Sequence, residues 1–361
     1  MLFVLFIERV EVIPVVGVTG AGIGTVTLIN PRLRATYIDG EFSMGALDSV
    51  LKGESDQPAS LPKWSLNLIN ARARIATDYG VAGLKADGQG RLDGGFQGIA
   101  ALVARNWGVG GCNWDALELV GEVTTSRGQP YLNGPLSMTE LSCEQGDVAI
   151  SQATIGTSLV GNNDLAGASG TLELAVPEIA ATGSVLREFG GEVNFELADG
   201  LANMRYQLGT ANLQNSYVAF ENVRADGGLR YRLEDGRLEL DGGLTSDELQ
   251  LGSAAKSSLA SAQAASDGTL VAPLIAQFEQ ALARNLSGST LAAELLIRSD
   301  SENSSLVIPS ARLRNGKGES LLALSQVQMS GGGEGANPLR LVGNFASDGS
   351  GIPRIRGRME N

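Results

Sequence analysis

Between residues 191 and 242 apolar and polar residues alternate almost without a break. Val193, Phe195 and Leu197 alternate with Glu192, Asn194 and Glu196; Met204, Tyr206 and Leu208 alternate with Arg205 and Gln207. Val218 and Phe220 resume the pattern after Asn215-Ser216. Leu229, Tyr231 and Leu233 alternate with Arg230, Arg232 and Glu234, and Leu238 and Leu240 with Arg237, Glu239 and Asp241. Successive side chains of a strand point to opposite faces, so this period of two predicts strands with one apolar and one charged face. Asp199-Gly200 and Asp235-Gly236 sit between these segments as hairpin turns, which makes the pairing antiparallel.

The same pattern runs through most of the chain. Residues 2–12 read as a strand, and residues 14–40 as a hairpin turning at Asn30-Pro31. Alternation resumes at Trp64 and continues through the segments 117–123, 131–141, 148–159 and 171–176, then from 290 to 360. Gly-Gly followed by alternating residues recurs at 94–95, 190–191, 227–228 and 242–243, without a fixed period. Two stretches break the pattern. Residues 42–52 suit a short helix with Ser43 as its cap and Met44, Leu47 and Leu51 on one face. In 253–288, Ala254–Ser266 is alanine- and serine-rich, and Pro273 opens a helix with Leu274, Ile275, Phe278, Ala281, Leu282 and Leu286 on one stripe.

The organisation expected is therefore β over 1–252, a helical insertion at 253–288 and continuing β over 289–361. With about 18 to 20 strands roughly 4.8 Å apart, one sheet paired in sequence would extend about 90 Å. Twisted sheets of that length curl, fold over or split. The fold expected is mainly β, a long, curled antiparallel sheet folded over into a groove with two short helical insertions; a β-sandwich or β-solenoid is the alternative.

Composition narrows the chemistry. Of 361 residues 43% are hydrophobic and 19% charged, as in a folded protein. The 48 glycines against 11 prolines suit many tight turns. A net charge of −13 without a basic stripe argues against a nucleic-acid partner. Histidine is absent, which removes the commonest general base and metal ligand and excludes histidine-based nucleophile systems. Gly20, Gly22 and Gly24 stop short of a dinucleotide loop, since position 25 is Thr25. Acidic residues are scattered singly, as on a solvated face. No catalytic residue, metal ligand or cofactor is expected, and the chain is not read as an enzyme. Cys112 and Cys143 form either one disulfide or two buried thiols. The apolar run at 1–7 is too short to span a bilayer, which takes roughly 20 residues.

Several stretches carry a family likeness: INPRLRATYIDGEFSMGALDSVL (29–51), LPKWSLNLINARARIATDYGVAGLKADGQGRLDGGFQG (61–98), GGCNWDALELVGEVTT (110–125), GEVNFELADG (191–200), and LLALSQVQM through LVGNFASDGSGIPRIRGRME (321–360). The chain resembles the YdbH-like branch of the AsmA-like proteins, in the glycine-rich form of some alphaproteobacteria. The likeness lies in diffuse strand-and-turn wording, with no catalytic signature. It implies a periplasmic location, an inner-membrane anchor outside this chain, a folded-over sheet whose apolar interior carries phospholipid to the outer membrane, and a small outer-membrane lipoprotein as partner. Under that resemblance the chain is expected to be an internal or truncated portion, with Cys112 and Cys143 close enough to bond. Val193, Phe195, Leu197, Met204, Tyr206, Leu208, Val218, Phe220, Leu229, Tyr231, Leu233, Leu238 and Leu240 are expected to line the lipid groove, with Arg205, Arg230, Arg232 and Glu239 facing water. The rival class is a structural or adhesive β-protein whose inner face is sealed by its own side chains.

Overall fold

The computed structural model describes residues 9–17, 20–38, 41–43, 60–109, 111–144, 147–269, 272–273, 280, 285–286, 288–300, 303–332, 340–347 and 355–360. Among the described residues the chain is mainly β and mostly antiparallel, with one short helix. It forms two compact units, Met1–Leu174 with Glu196–Asp199, and Ala175–Phe195 with Gly200–Asn361.

In the first unit, β1 (Arg9–Gly17) pairs antiparallel with β2 (Gly20–Ile29). β3 (Arg32–Ile38) pairs with β4 (Glu41–Ser43). An antiparallel meander follows: β5 (Ser65–Thr77), β6 (Gly80–Arg91), β7 (Gln97–Val109), β8 (Cys112–Ser126), β9 (Gln129–Cys143) and β10 (Val148–Gly161). Arg127 and Gly128, both at positive φ (53° and 81°), make the two-residue β8–β9 turn, whose twist matches that of the strands it joins.

Asn30-Pro31 does not reverse the chain, contrary to the hairpin expected there. β2 and β3 run in one direction and pair parallel with successive halves of β5, Thr25–Ile29 on Ser65–Ile69 and Arg32–Tyr37 on Arg72–Thr77. The proline lacks an N–H, but its carbonyl accepts from the Arg72 N–H at 2.9 Å, and the Asn30 N–H donates to the Ile69 carbonyl at 2.9 Å. The ladder therefore passes through the dipeptide. Ser43, expected to cap a helix over 42–52, belongs to β4, and the rest of that stretch lies outside the described residues.

β11 (Ala168–Ala181) is shared between the units. In the second unit, β12 (Ser184–Ala198), β13 (Leu201–Asn215), β14 (Val218–Arg232) and β15 (Leu238–Leu251) lead to helix α1 (Ser253–Ser266). The strands β16 (Thr290–Ser299), β17 (Asn303–Arg314), β18 (Ser320–Gly332), β19 (Arg340–Ser347) and β20 (Ile355–Glu360) follow, each antiparallel to its predecessor from β14 on. α1 falls in the alanine- and serine-rich part of the expected insertion. It has no side-chain cap; the Gly252 and Ala254 N–H groups donate instead to the Tyr217 and Ser216 carbonyls, at 2.7 and 2.8 Å. The expected helix after Pro273 lies largely outside the described residues; Leu286 from its apolar stripe is buried.

One irregularity recurs in the strands. Inward positions step by two, then once by three: Trp114 to Leu117, Met138 to Leu141 and Ile150 to Ala153 in the first unit, and Thr210 to Leu213, Phe220 to Val223 and Ser246 to Leu249 in the second. The steps are in register, since Leu117 opposes Met138, Trp114 opposes Leu141, Thr210 opposes Val223 and Phe220 opposes both Leu213 and Leu249. Glu140, Asn222 and Glu248 sit inside three of these steps at positive φ (48°, 48° and 40°). A left-handed residue turns the strand so that the parity of the apolar positions changes while their face does not, which is the action of a bulge.

Candidate functional site

Directly opposed residues of neighbouring strands share a face, so the register shows which alternating positions become one surface. In the second unit Met204 opposes Leu229, Leu229 opposes Leu240, Leu240 opposes Ile297, Ile297 opposes Leu306 and Leu306 opposes Met329. Six apolar side chains thus form an unbroken row across β13–β18, perpendicular to the strands. On one side of it lie Ala202, Tyr231 and Leu238; on the other Tyr206 opposes Gly227, and Leu208 opposes Ala225, which opposes Leu244. Val218 opposes Leu251 beyond the three-residue step.

Met204, Leu208, Val218, Phe220, Leu229, Leu238 and Leu240 are therefore brought onto one face through this ladder, as expected. Val193 and Phe195 on β12 are partly buried and alternate with exposed Glu192 and Asn194. Leu197 is partly buried within the first unit. Leu233 differs from expectation: it lies past the end of β14, is 56% exposed and does not extend the row. The reason is that β14 ends at Arg232 and the turn has already begun. Tyr231, at 38% exposed, marks the edge of the face.

Two glycines make room for Tyr206. A Cβ on Gly227 would come within 2.7 Å of the Tyr206 Oη, and one on Gly242 would collide with the same atom. The phenol thus lies across β14 and β15 and donates to the Asp241 carbonyl at 3.3 Å. Burial, with the charges of Asp241 and Asp226, raises its pKa above the ordinary tyrosine value.

This face is covered only in part. None of the expected lining residues is fully buried; among the described residues, the buried apolar side chains of the second unit are Val176, Ala202, Leu286, Ala311, Leu321 and Val327. A sealed core encloses its Leu, Ile and Phe side chains almost completely. The opposite face is charged: Arg230 opposes Glu239, and Glu239 opposes Arg298, with Arg298 Nε 3.9 Å from Glu239 Oε1. Arg205, Arg230 and Arg232 are exposed and Glu239 sits with them on the wet side, as expected.

The first unit repeats the arrangement. Leu33, Ala73, Leu84, Leu102, Leu119, Leu136 and Ile155 form a row through β3 and β5–β10. Cys112 directly opposes Cys143, and the pair is disulfide-bonded (Sγ–Sγ 2.08 Å). The next opposed pair inward is Trp114 and Leu141, and Trp114 Nε1 donates to Met138 Sδ at 2.8 Å.

Among the described residues no group of three or more His, Cys, Asp or Glu side chains is placed to hold a metal ion, and no helix is long and apolar enough to cross a membrane. A scan of the chain against protein-family models finds no match, and searches of the curated proteins and of the solved structures find no significant similarity.

Proposed function

We propose that this chain is a periplasmic groove protein that carries phospholipid between inner and outer membrane, without catalysis. The observation that carries the reading is the Met204–Leu229–Leu240–Ile297–Leu306–Met329 row, continuous across strands yet only partly covered. Acyl chains suit such a surface because apolar burial is non-directional: each CH₂ removed from water contributes about 0.8 kcal/mol wherever along the row it lies, so a chain can slide without crossing large barriers. The resemblance to YdbH-like AsmA-like proteins supports the same reading, and with it a small outer-membrane lipoprotein as partner. The Cys112–Cys143 bond suits an oxidising compartment.

Native mass spectrometry of the purified chain tests this. Phospholipid is expected to co-purify, and photocrosslinkers at Met204 or Leu240 should capture acyl chains while one at Arg230 does not. Absence of lipid in both measurements would leave a structural β-protein as the better account.

A further inference from the structure

On the charged face of the second unit the register builds a cup. Arg224 opposes Thr245, Thr245 opposes Ala292 and Ala292 opposes Arg312; in the next row Asp247 opposes Thr290, which opposes Arg314. Small side chains thus form the floor, and long charged ones rise from the flanking strands. Glu294, two residues beyond Ala292 on β16, completes the rim. These residues line a cavity of about 530 Å³, within the usual 300–1,000 Å³ of small-molecule sites.

The charges are unspent. Arg224, Arg312 and Arg314 are exposed, and none forms an ion pair among the described residues; nor do Asp247 and Glu294. Arg224 and Arg312 stand three strands apart, about 14 Å between backbones, so their side chains approach a bound group from opposite sides. Guanidinium forks match phosphate oxygens in pairs. In a chain of net charge −13 the overall field repels anions, so a phosphate has to be held by a local cluster such as this. A bare phosphate dianion, however, would also meet two carboxylates on the same rim.

We infer that this cup binds a phosphoester that also carries a primary ammonium group, with Arg224, Arg312 and Arg314 taking the phosphate and Asp247 and Glu294 the ammonium. The inference concerns the face opposite the apolar row and stands without the lipid-carrier reading. The same chemistry occurs in a soluble phosphoester and in a lipid headgroup.

Calorimetric titration of the purified chain with O-phosphoethanolamine and with inorganic phosphate tests it. O-phosphoethanolamine is expected to bind about tenfold more tightly than phosphate. Arg312→Gln with Arg314→Gln should weaken both by about tenfold, with unchanged melting. Asp247→Asn with Glu294→Gln should abolish the preference and leave phosphate binding intact. Flotation with phosphatidylethanolamine-containing vesicles then identifies the source: binding lost in the double arginine variant assigns a headgroup, and flotation unaffected by it assigns a soluble ligand. No binding of either soluble probe, equal affinity for the two, or unchanged affinity in the double arginine variant overturns the inference.

Discussion

Replacing Leu240 by aspartate separates an open apolar face from a sealed one. Leu240 sits in mid-row between Leu229 and Ile297 and is partly buried. On an open face the substitution forfeits the leucine's transfer free energy, about 2 kcal/mol for a side chain most of which is covered. Water reaches the new carboxylate, which keeps an ordinary pKa near 3.9. In a sealed core the carboxylate would be desolvated and unpaired, and its pKa raised by about 3 to 5 units. A folded-state pKa above the unfolded one penalises the fold as pH rises: nothing below about pH 3.9, then about 1.4 kcal/mol per pH unit up to the folded value. At pH 7.5 that is about 4 to 5 kcal/mol on top of the transfer term, of which about 3 kcal/mol would return on acidification to pH 5. Urea denaturation of wild type, Leu240→Asp and Leu240→Asn at the two pH values measures this. The partly covered row predicts that Leu240→Asp loses about 2 kcal/mol at both. An extra loss of about 3 kcal/mol at pH 7.5, absent in the asparagine variant, would refute the open face.

Other outcomes follow from the same structure. The Cys112–Cys143 bond spans 31 residues, so reduction should lower stability by about 4 kcal/mol in the loop-entropy account; melting that is identical with and without reductant would contradict a closed bond in solution. Gly242→Ala should displace the Tyr206 ring and cost about 1 to 3 kcal/mol, because the new Cβ meets both the phenol and the Asp226 carbonyl oxygen, at 2.5 Å from the latter; a neutral effect in thermal melts would mean the ring lies elsewhere. Burial, with Asp241 and Asp226 beside it, raises the Tyr206 pKa, so the stability it contributes is whole below the ordinary tyrosine pKa of about 10 and is lost as pH rises through its folded value. Ultraviolet titration should show one late-ionising tyrosine that Tyr206→Phe removes. Phe195→Asp should block lipid passage in a transfer assay between vesicles, with the fold retained by circular dichroism; transfer at the wild-type rate would argue against the groove.

The alternation of apolar and polar residues made the strands, their antiparallel pairing and most of the shared face legible in the sequence. Met204, Leu229 and Leu240 meet because their strands alternate in phase across tight turns. The three-residue steps were not legible in that way. Phe220 and Leu229 differ in parity, and a strict period of two places them on opposite faces; only the left-handed backbone at Asn222 reconciles them. A signal existed, since Val223 follows Phe220 by three and the same spacing recurs at Ser246 and Leu249. Asn30-Pro31 misled because the dipeptide is turn-prone locally, whereas here neighbouring strand β5 supplies the partners that keep the chain extended. The charged cup was hidden for a different reason: Arg224 and Arg312 are 88 positions apart, and only the β14–β17 register places them on one rim.

The six-residue row also bears on length. Each strand contributes one side chain to it, and each hairpin returns the chain to the same face at the same height, as Leu229 and Leu240 do on either side of Asp235-Gly236. Duplicating a whole hairpin would lengthen the row by about 10 Å, two strand spacings, while leaving every other opposed pair in place. Loss or gain of a single strand would instead reverse all that follow. A surface made this way can be matched to a distance in increments of one hairpin, without any change to the residues that line it.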